Sequence, residues 1–205
     1  MFDDSVRPYV ARLFGPVSRG MISWGVTPSA LTWTGFVIAA AGAAAIASGH
    51  SAVGLALWLL SRVADGLDGV VARTSGRQSA FGGYLDILLD MAAYSLMVVA
   101  FAHLHPHPAL LWQAILVGYV LVITSTLALS SAAERLGRTV AGGGRSFQFT
   151  RGLAEAGETS LVYVLWTVFP SLVELVGWTW CALLCATAVQ RSWMAYRWLP
   201  GDPQP

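Results

Sequence analysis

The chain has 205 residues, of which 56% are hydrophobic and only 11% are charged. An ordinary globular domain has about a quarter of its residues charged, so this balance excludes a soluble domain and a disordered chain. The formal net charge is +1 and no run of basic residues occurs, which excludes a protein that binds nucleic acid. A membrane-spanning helix needs about 20 apolar residues. The length therefore predicts an all-α integral membrane protein with room for six spans, folded as one domain over residues 1–205.

The first segment, residues 2–22, has apolar side chains at three- and four-residue spacing, with Arg7, Arg12 and Arg19 between them. This pattern predicts an amphipathic helix that lies in the membrane interface. Thr27 and Pro28 are typical of a helix N-cap followed by proline in the first turn. Six apolar stretches follow, which we predict to be transmembrane helices of one bundle over residues 28–199: 28–48, 51–74, 80–103, 109–133, 153–170 and 173–199. A single re-entrant segment is the alternative for the last two.

All twelve basic residues are arginine, and their distribution predicts the orientation of the chain. Nine lie in the N-terminal helix, in the connections after the second and fourth spans, or at the C-terminal end. The connections at 49–50, 104–108 and 171–172 contain none. Because positive residues accumulate on the cytoplasmic side, both termini and the 134–152 loop are expected in the cytoplasm, with the protein in a bacterial inner membrane.

Four aspartates lie inside the second and third predicted spans: Asp65, Asp68, Asp86 and Asp90. A carboxylate at the centre of a transmembrane helix costs about 2.5–3.5 kcal/mol, so these groups need a compensating partner. Residues three or four apart share one face of a helix, which places each pair on one side of its span. A short turn around residues 75–77 joins the two spans. We therefore expect antiparallel neighbouring helices that hold the two pairs at similar depth.

Facing carboxylates suit a hard divalent cation such as Mg²⁺ or Mn²⁺, and two ions can share one carboxylate. The alternative is structural ion pairing with Arg62 and Arg73, but two bases leave part of the negative charge uncompensated. Intramembrane carboxylates also occur in ion pathways, so a divalent-cation transporter is a second alternative. A transporter predicts acids through the whole membrane depth, whereas the outer connections here have only histidines and Glu174. The pattern therefore favours a site for two metal ions.

Residues 65–90 read DGLDGVVARTSGRQSAFGGYLDILLD. This segment resembles the complete signature of the CDP-alcohol phosphatidyltransferase family, D-x-x-D-G-x-x-A-R-x8-G-x3-D-x3-D, at all eight fixed positions. The six-span layout and the segment from Thr27 to Thr32 are also similar to the family, and the chain resembles a less characterised bacterial branch. The resemblance implies a homodimeric enzyme of phospholipid biosynthesis. Its reaction would transfer a phosphatidyl group from CDP-diacylglycerol to a small alcohol, with metal ions bound and CMP released.

The resemblance also implies roles for individual residues. It implies four metal ligands, of which the last is also the base that accepts the proton of the acceptor hydroxyl: Asp65, Asp68, Asp86 and Asp90. It implies six residues at the nucleotide of the CDP-lipid: Ser29, Thr32, Gly69, Ala72, Arg73 and Gly82. Ser29 and Thr32 would contact the nucleotide, the three small residues would make space for it, and Arg73 would bind a phosphate. Ser29 stands where the family commonly has asparagine.

Three further arginines are candidates for binding a phosphate on the acceptor: Arg145, Arg151 and Arg191. Members that use phosphorylated acceptors have basic residues in comparable cytoplasmic regions. The alternative is that the first two are ordinary cytoplasmic charges and that Arg191 pairs with Glu155 or Glu158. The expected acceptor is a phosphorylated polyol such as glycerol 3-phosphate, and inositol phosphate, serine or another amino-alcohol are the alternatives.

Overall fold

The computed structural model describes residues 14–136 and 156–199, and these residues form helices and turns with no strand. The first helix, α1, covers residues 14–23. Six longer helices follow: α2 Pro28–Ala47, α3 Ser51–Ser75, α4 Ala80–Leu104, α5 Ala109–Arg135, α6 Ala156–Val168 and α7 Val173–Trp198. A 3-10 turn, Pro170–Leu172, separates α6 from α7. The bounds of α2, α3, α4, α5 and α7 differ from the predicted stretches by at most two residues.

Four segments are long and apolar enough to cross a membrane: Pro28–Ala47, Ala80–Leu104, Ala109–Arg135 and Pro170–Trp198. Helix α3 has 25 residues and is long enough to span a membrane, but four charged residues make it less apolar than these segments: Arg62, Asp65, Asp68 and Arg73. Helix α6 has 13 described residues, which is too short by itself. The structure thus supports a multi-pass protein with four of the six predicted spans among the described residues.

Local capping fixes the helix ends near the acidic residues. The Thr27 side chain accepts a hydrogen bond from the backbone N–H of Ala30, as the sequence predicted for the start of α2. Helix α3 ends at Gly76, whose φ of 67° lies in the left-handed region that glycine adopts without strain. Ser79 caps α4 by accepting from the N–H of Gly82. The turn between α3 and α4 is therefore defined at both ends.

The expectation that α3 and α4 are neighbours is confirmed, because Asp65 and Asp68 on α3 lie close to Asp86 on α4. Helix α2 packs most closely against both of them, and α3 and α4 meet through longer side chains, such as Trp58 and Tyr94. Glycines explain the preference of α3 for α2, because a Cβ on Gly42 would lie 2.9 Å from the carbonyl oxygen of Gly54. A Cβ on Gly35 would likewise lie 3.3 Å from the carbonyl oxygen of Ser61. Small residues let transmembrane helices approach to backbone contact, and this contact fixes the depth of α3.

Aromatic side chains from α3 to α7 fill the main core, including Trp58, Tyr94, Tyr119, Tyr163, Trp166 and Trp180. Their polar ends bond to one another: the Tyr163 hydroxyl donates to the carbonyl of Tyr94 at 3.1 Å and lies 3.0 Å from the Tyr119 hydroxyl. The indole N–H of Trp180 donates to Tyr119 at 3.3 Å. Buried tyrosine and tryptophan need such partners, and the core supplies them to Tyr119, Tyr163 and Trp180, whereas the indole nitrogen of Trp166 has none among the described residues.

Helix α1 contacts the bundle at the end where α2 begins. Four residues on and after α1 pack against a small cluster formed by α2 and α3: Phe14, Met21, Ile22 and Val26 against Leu31, Leu67 and Val71. Arg19 is exposed. Two described residues of the apolar face predicted for residues 2–22, Phe14 and Met21, therefore contact protein, whereas Val17 is exposed. Residues 2–13 lie outside the described ranges, and the interfacial location stays a prediction.

Candidate active site

Three of the four intramembrane aspartates form a compact group. Asp65 and Asp68 on α3 and Asp86 on α4 each offer a carboxylate oxygen, and these oxygens lie within 4.8 Å of one another. Asp68 is buried, with 8% of its surface exposed, and the other two are half-buried. Carboxylates this close repel one another strongly unless a cation lies among them. Oxygen ligands surround Mg²⁺, Mn²⁺ or Ca²⁺ at about 2.0–2.6 Å, so this three-carboxylate cluster is able to hold a hard divalent cation.

Thr32 on α2 contacts this cluster directly. Its hydroxyl lies 2.6 Å from Asp68 Oδ2, to which it donates, and 3.1 Å from the carbonyl of Pro28. Its predicted contact to the nucleotide stays a prediction. Ser29, one turn earlier on α2, is half-buried. A hydroxyl in this position orients the carboxylate that it bonds.

Asp90, one turn beyond Asp86 on α4, has a different partner. Its Oδ1 accepts a hydrogen bond from Nη1 of Arg62 at 2.7 Å, and it is not part of the three-carboxylate cluster. The same nitrogen lies 3.9 Å from Asp65 Oδ2. Of the two alternatives weighed on sequence alone, an ion pair with arginine is seen for Asp90, and Arg62 also approaches Asp65. The other three aspartates form a group that is able to hold a cation, and metal binding there stays a prediction.

A small cleft, with room for about one water molecule, lies between α2, α3 and α4. Its lining comes from α2, α3 and α4: Thr32, Gly35, Phe36, Arg62, Asp65, Leu89 and Asp90. The cleft reaches from the three-carboxylate cluster, through Asp65, to the ion pair of Arg62 with Asp90. The cleft therefore lies beside both the cluster and Asp90.

The small residues of the signature make space locally. A Cβ on Gly69 would lie 3.1 Å from Nη1 of Arg73, so the absence of a side chain makes room for this guanidinium. A Cβ on Gly82 would lie 3.1 Å from Oγ of Ser79, the cap of α4. Ala72 is half-buried. Both glycines thus accommodate neighbouring protein groups, and their proposed contacts to a nucleotide stay predictions.

Of the three arginines expected to bind an acceptor phosphate, only Arg191 lies within the described residues. It is buried on α7, and its Nη1 donates to the carbonyl of Val122 on α5 at 2.9 Å. Arg145, Arg151 and Glu155 lie outside the described ranges. The structure therefore locates one arginine of this group and leaves the acceptor site as a prediction.

Sequence reasoning considered Arg62 only as an alternative partner for the acids and missed Gly35 and Phe36 altogether. Helical spacing would have indicated Arg62 and Gly35. Arg62 precedes Asp65 by three residues, and Gly35 follows Thr32 by three, so each shares a helix face with a residue already selected.

Comparison with known proteins decides the family. Residues 25–191 match the family model of CDP-alcohol phosphatidyltransferase. The chain belongs to the CDP-alcohol phosphatidyltransferase family. It is 33% identical over 198 residues to Inner membrane protein YnjF of Escherichia coli (strain K12), and the aligned region covers 96% of each chain. It is 32% identical over 142 residues to the archaetidylinositol phosphate synthase of Methanothermobacter thermautotrophicus, which covers 65% of this chain and 71% of that protein.

Solved structures share the fold. The crystal structure of Mycobacterium tuberculosis phosphatidylinositol phosphate synthase in complex with manganese and citrate has a TM-score of 0.72 and 23% identity, over 93% of this chain and 92% of that chain. The structure of the same synthase with CDP-DAG bound has a TM-score of 0.70 and 21% identity, over 95% and 99% of the two chains. Family membership makes the chain an enzyme of this class, which speaks against the divalent-cation transporter.

Proposed function

We propose that this enzyme transfers a phosphatidyl group from CDP-diacylglycerol to a hydroxyl of a phosphorylated polyol and releases CMP. The observation that carries the proposal is the cluster of Asp65, Asp68 and Asp86, whose carboxylate oxygens lie within 4.8 Å of one another beside a cleft that reaches Asp90. Such a cluster fits a cation that binds a diphosphate, and the fourth carboxylate, Asp90, has 26% of its side chain exposed and so is open to a second substrate.

We assign Asp65, Asp68 and Asp86 as ligands of Mg²⁺ or Mn²⁺. The donor set is all oxygen, which suits these hard ions, and Thr32 orients Asp68 as an outer partner of a metal ligand does. When bound, the metal neutralises the diphosphate and stabilises the oxygen of the departing CMP. The family resemblance implies a second ion with Asp90 among its ligands. In the structure Asp90 bonds to Arg62 and lies outside the three-carboxylate cluster, and we assign it the other implied role, that of the base.

In the proposed reaction the acceptor hydroxyl attacks the phosphorus that carries the diacylglycerol. A hydroxyl is a weak nucleophile until a carboxylate within hydrogen-bond reach accepts its proton. Asp90 lines the cleft with 26% of its side chain exposed, so an acceptor is able to reach it. The new phosphorus–oxygen bond forms as the bond to CMP breaks, and the proton passes to Asp90. No covalent enzyme intermediate is needed.

The acceptor class rests on the arginines and on the relatives. Arg145, Arg151 and Arg191 would bind a phosphate on the acceptor, since a guanidinium matches phosphate oxygens with two donors. The archaeal relative and the M. tuberculosis enzyme of the same fold are named as synthases of inositol phosphate lipids. These names favour inositol phosphate over glycerol 3-phosphate within the class of phosphorylated polyols.

We further propose a six-span homodimer, one domain per chain, with its active site on the cytoplasmic side of a bacterial inner membrane. The exposed Arg77 lies in the turn between α3 and α4, at the end of the bundle nearest the acidic residues. The positive-inside rule assigns that end to the cytoplasm. The E. coli relative is named an inner membrane protein.

The test is an acceptor panel with the purified chain in lipid nanodiscs. CDP-diacylglycerol and Mn²⁺ are supplied with inositol phosphate, glycerol 3-phosphate, serine or free inositol, and CMP is measured by mass spectrometry. We expect CMP with a phosphorylated polyol, and none after chelation of the metal or in Asp86→Asn. CMP with serine or free inositol alone would contradict the acceptor class. No CMP with any acceptor would contradict the proposed reaction.

A further inference from the structure

Arg62 lies in the middle of α3 and is held on several sides. Its Nη1 donates to Asp90 Oδ1 at 2.7 Å and also lies within 3.4 Å of the Tyr94 hydroxyl oxygen. The guanidinium carbon lies 4.5 Å from the ring centroid of Trp58 and 5.4 Å from that of Tyr94. Only 15% of the side chain is exposed. An arginine inside a membrane protein needs anionic and aromatic partners of this kind, and such residues mark functional sites.

The distances show which carboxylate Arg62 holds. The contact to Asp90 is a short, charge-assisted hydrogen bond, whereas the contact to Asp65 at 3.9 Å is only an electrostatic approach. Asp65 remains with the three-carboxylate cluster, and Asp90 does not join it. Arg62 thus lies between Asp90, to which it bonds, and the three-carboxylate cluster.

The aromatic core determines where the guanidinium lies. The indole N–H of Trp58 donates to Oγ of Ser160 on α6 at 3.2 Å, and the rings of Trp58 and Tyr94 lie 5.4 Å apart. The carbonyl of Tyr94 accepts from the Tyr163 hydroxyl. Helix α6 therefore fixes the Trp58 ring and the backbone of Tyr94. A planar guanidinium stacks and bonds in this position in a way that the compact ammonium of lysine does not.

This inference rests on the proposed function. We propose that Arg62 is a positioning residue that holds Asp90 at the cleft, apart from the three-carboxylate cluster, so that this carboxylate faces the acceptor hydroxyl. Arg62 acts through Asp90 and is not itself a catalytic group. Misplacing a catalytic group by about 1 Å costs on the order of 10²-fold in rate, which sets the size of the expected effect.

The first experiment compares Arg62→Met and Arg62→Lys with Arg77→Met, a change of an exposed arginine in the turn after α3. CMP release gives kcat and the KM for each substrate, and titration with Mn²⁺ alone gives metal affinity. We expect Arg62→Met to lower kcat about 100-fold while the KM for CDP-diacylglycerol and the Mn²⁺ affinity change less than about threefold. Arg62→Lys should recover part of kcat, and Arg77→Met should match the parent chain.

Unchanged kcat in Arg62→Met, or a parallel loss of kcat and Mn²⁺ affinity, would overturn the inference. If Arg62→Met does not fold, Arg62→Lys in the Asp90→Asn background decides the question. Residues that act as one unit do not add, so this double variant should be no slower than Asp90→Asn alone. A further loss comparable to that of Arg62→Lys by itself would show that Arg62 does not act through Asp90. An inactive parent chain in the same assay would count against the proposed reaction instead.

Discussion

The hydroxyl of Thr32 donates a hydrogen bond of 2.6 Å to Oδ2 of Asp68, a residue 36 positions later in the chain. The bond joins α2 to the three-carboxylate cluster on α3 and α4. Both groups are buried, with no more than 9% of either residue exposed. A carboxylate fixed in this way presents its oxygens in one direction, which is how outer partners orient metal ligands.

Removing this hydroxyl should weaken metal binding. Thr32→Val keeps the shape of the side chain but leaves Asp68 without its donor, and loss of such a partner typically costs 10–100-fold in metal affinity. Titration with Mn²⁺, followed by electron paramagnetic resonance, measures the change. Thr34→Val is the matched control, because Thr34 is exposed on the same helix and donates to the carbonyl of Ala30. Equal Mn²⁺ affinities in the two variants would show that the bond has no role at the site.

The close contact between α2 and α3 should be sensitive to one added methyl group. In Gly42→Ala the new Cβ would lie 2.9 Å from a backbone oxygen of Gly54, and backbone cannot move aside as a flexible side chain can. Overpacking of this kind costs about 1–3 kcal/mol, so thermal unfolding in detergent should begin at a lower temperature. Gly20→Ala in α1 meets no atom within 4 Å and should keep the parent Tm or raise it. A parent-like Tm in Gly42→Ala would contradict the packing described.

Gly69→Ala tests the space beneath Arg73. The added Cβ would lie 3.1 Å from Arg73 Nη1, so the guanidinium has to shift, and its end is flexible enough to do so. If Arg73 binds a phosphate of the CDP-lipid, the KM for CDP-diacylglycerol should rise several-fold with little change in Tm. Gly66→Ala on the same helix meets nothing within 4 Å and controls for the change in helix propensity. The prediction fails if CMP-release kinetics give the same KM for Gly69→Ala and the parent chain.

Asp90→Asn separates the base from the metal ligands. The amide cannot accept the proton of the acceptor hydroxyl, so kcat should fall by about 10²–10⁴-fold while CDP-diacylglycerol still binds. Binding of the CDP-lipid to nanodiscs and release of CMP measure the two properties separately. Asp86→Asn is the matched comparison, because it removes a carboxylate of the cluster and should weaken Mn²⁺ binding as well. Normal turnover by Asp90→Asn would rule out its role as base.

Hydropathy and local spacing located the helices well. The start of α2 at Pro28 and the end of α3 before Gly76 follow from residues whose effect is local, a cap with proline and a left-handed glycine. The same spacing placed Asp65 and Asp68 on one face, and the structure brings both to Asp86.

Other features depend on how the helices are rotated and packed, which spacing does not specify. The bond from Thr32 to Asp68 and the pairing of Arg62 with Asp90 join different helices, so no local pattern distinguishes them from other partners on the same faces. Local spacing also does not specify that α2 packs closely against both α3 and α4. The packing of α2 on α3 depends on a backbone contact between two glycines of different helices, Gly42 and Gly54.

The most direct test of the metal assignment is titration of the purified chain with Mn²⁺ alone, in the absence of lipid substrate. The parent chain should bind Mn²⁺, and Asp68→Asn should bind it at least about tenfold more weakly, because one of three clustered carboxylates is lost. Glu134→Gln, a change of an exposed acid at the end of α5, should bind like the parent. Equal Mn²⁺ affinity in the parent and Asp68→Asn would contradict a metal site at this cluster.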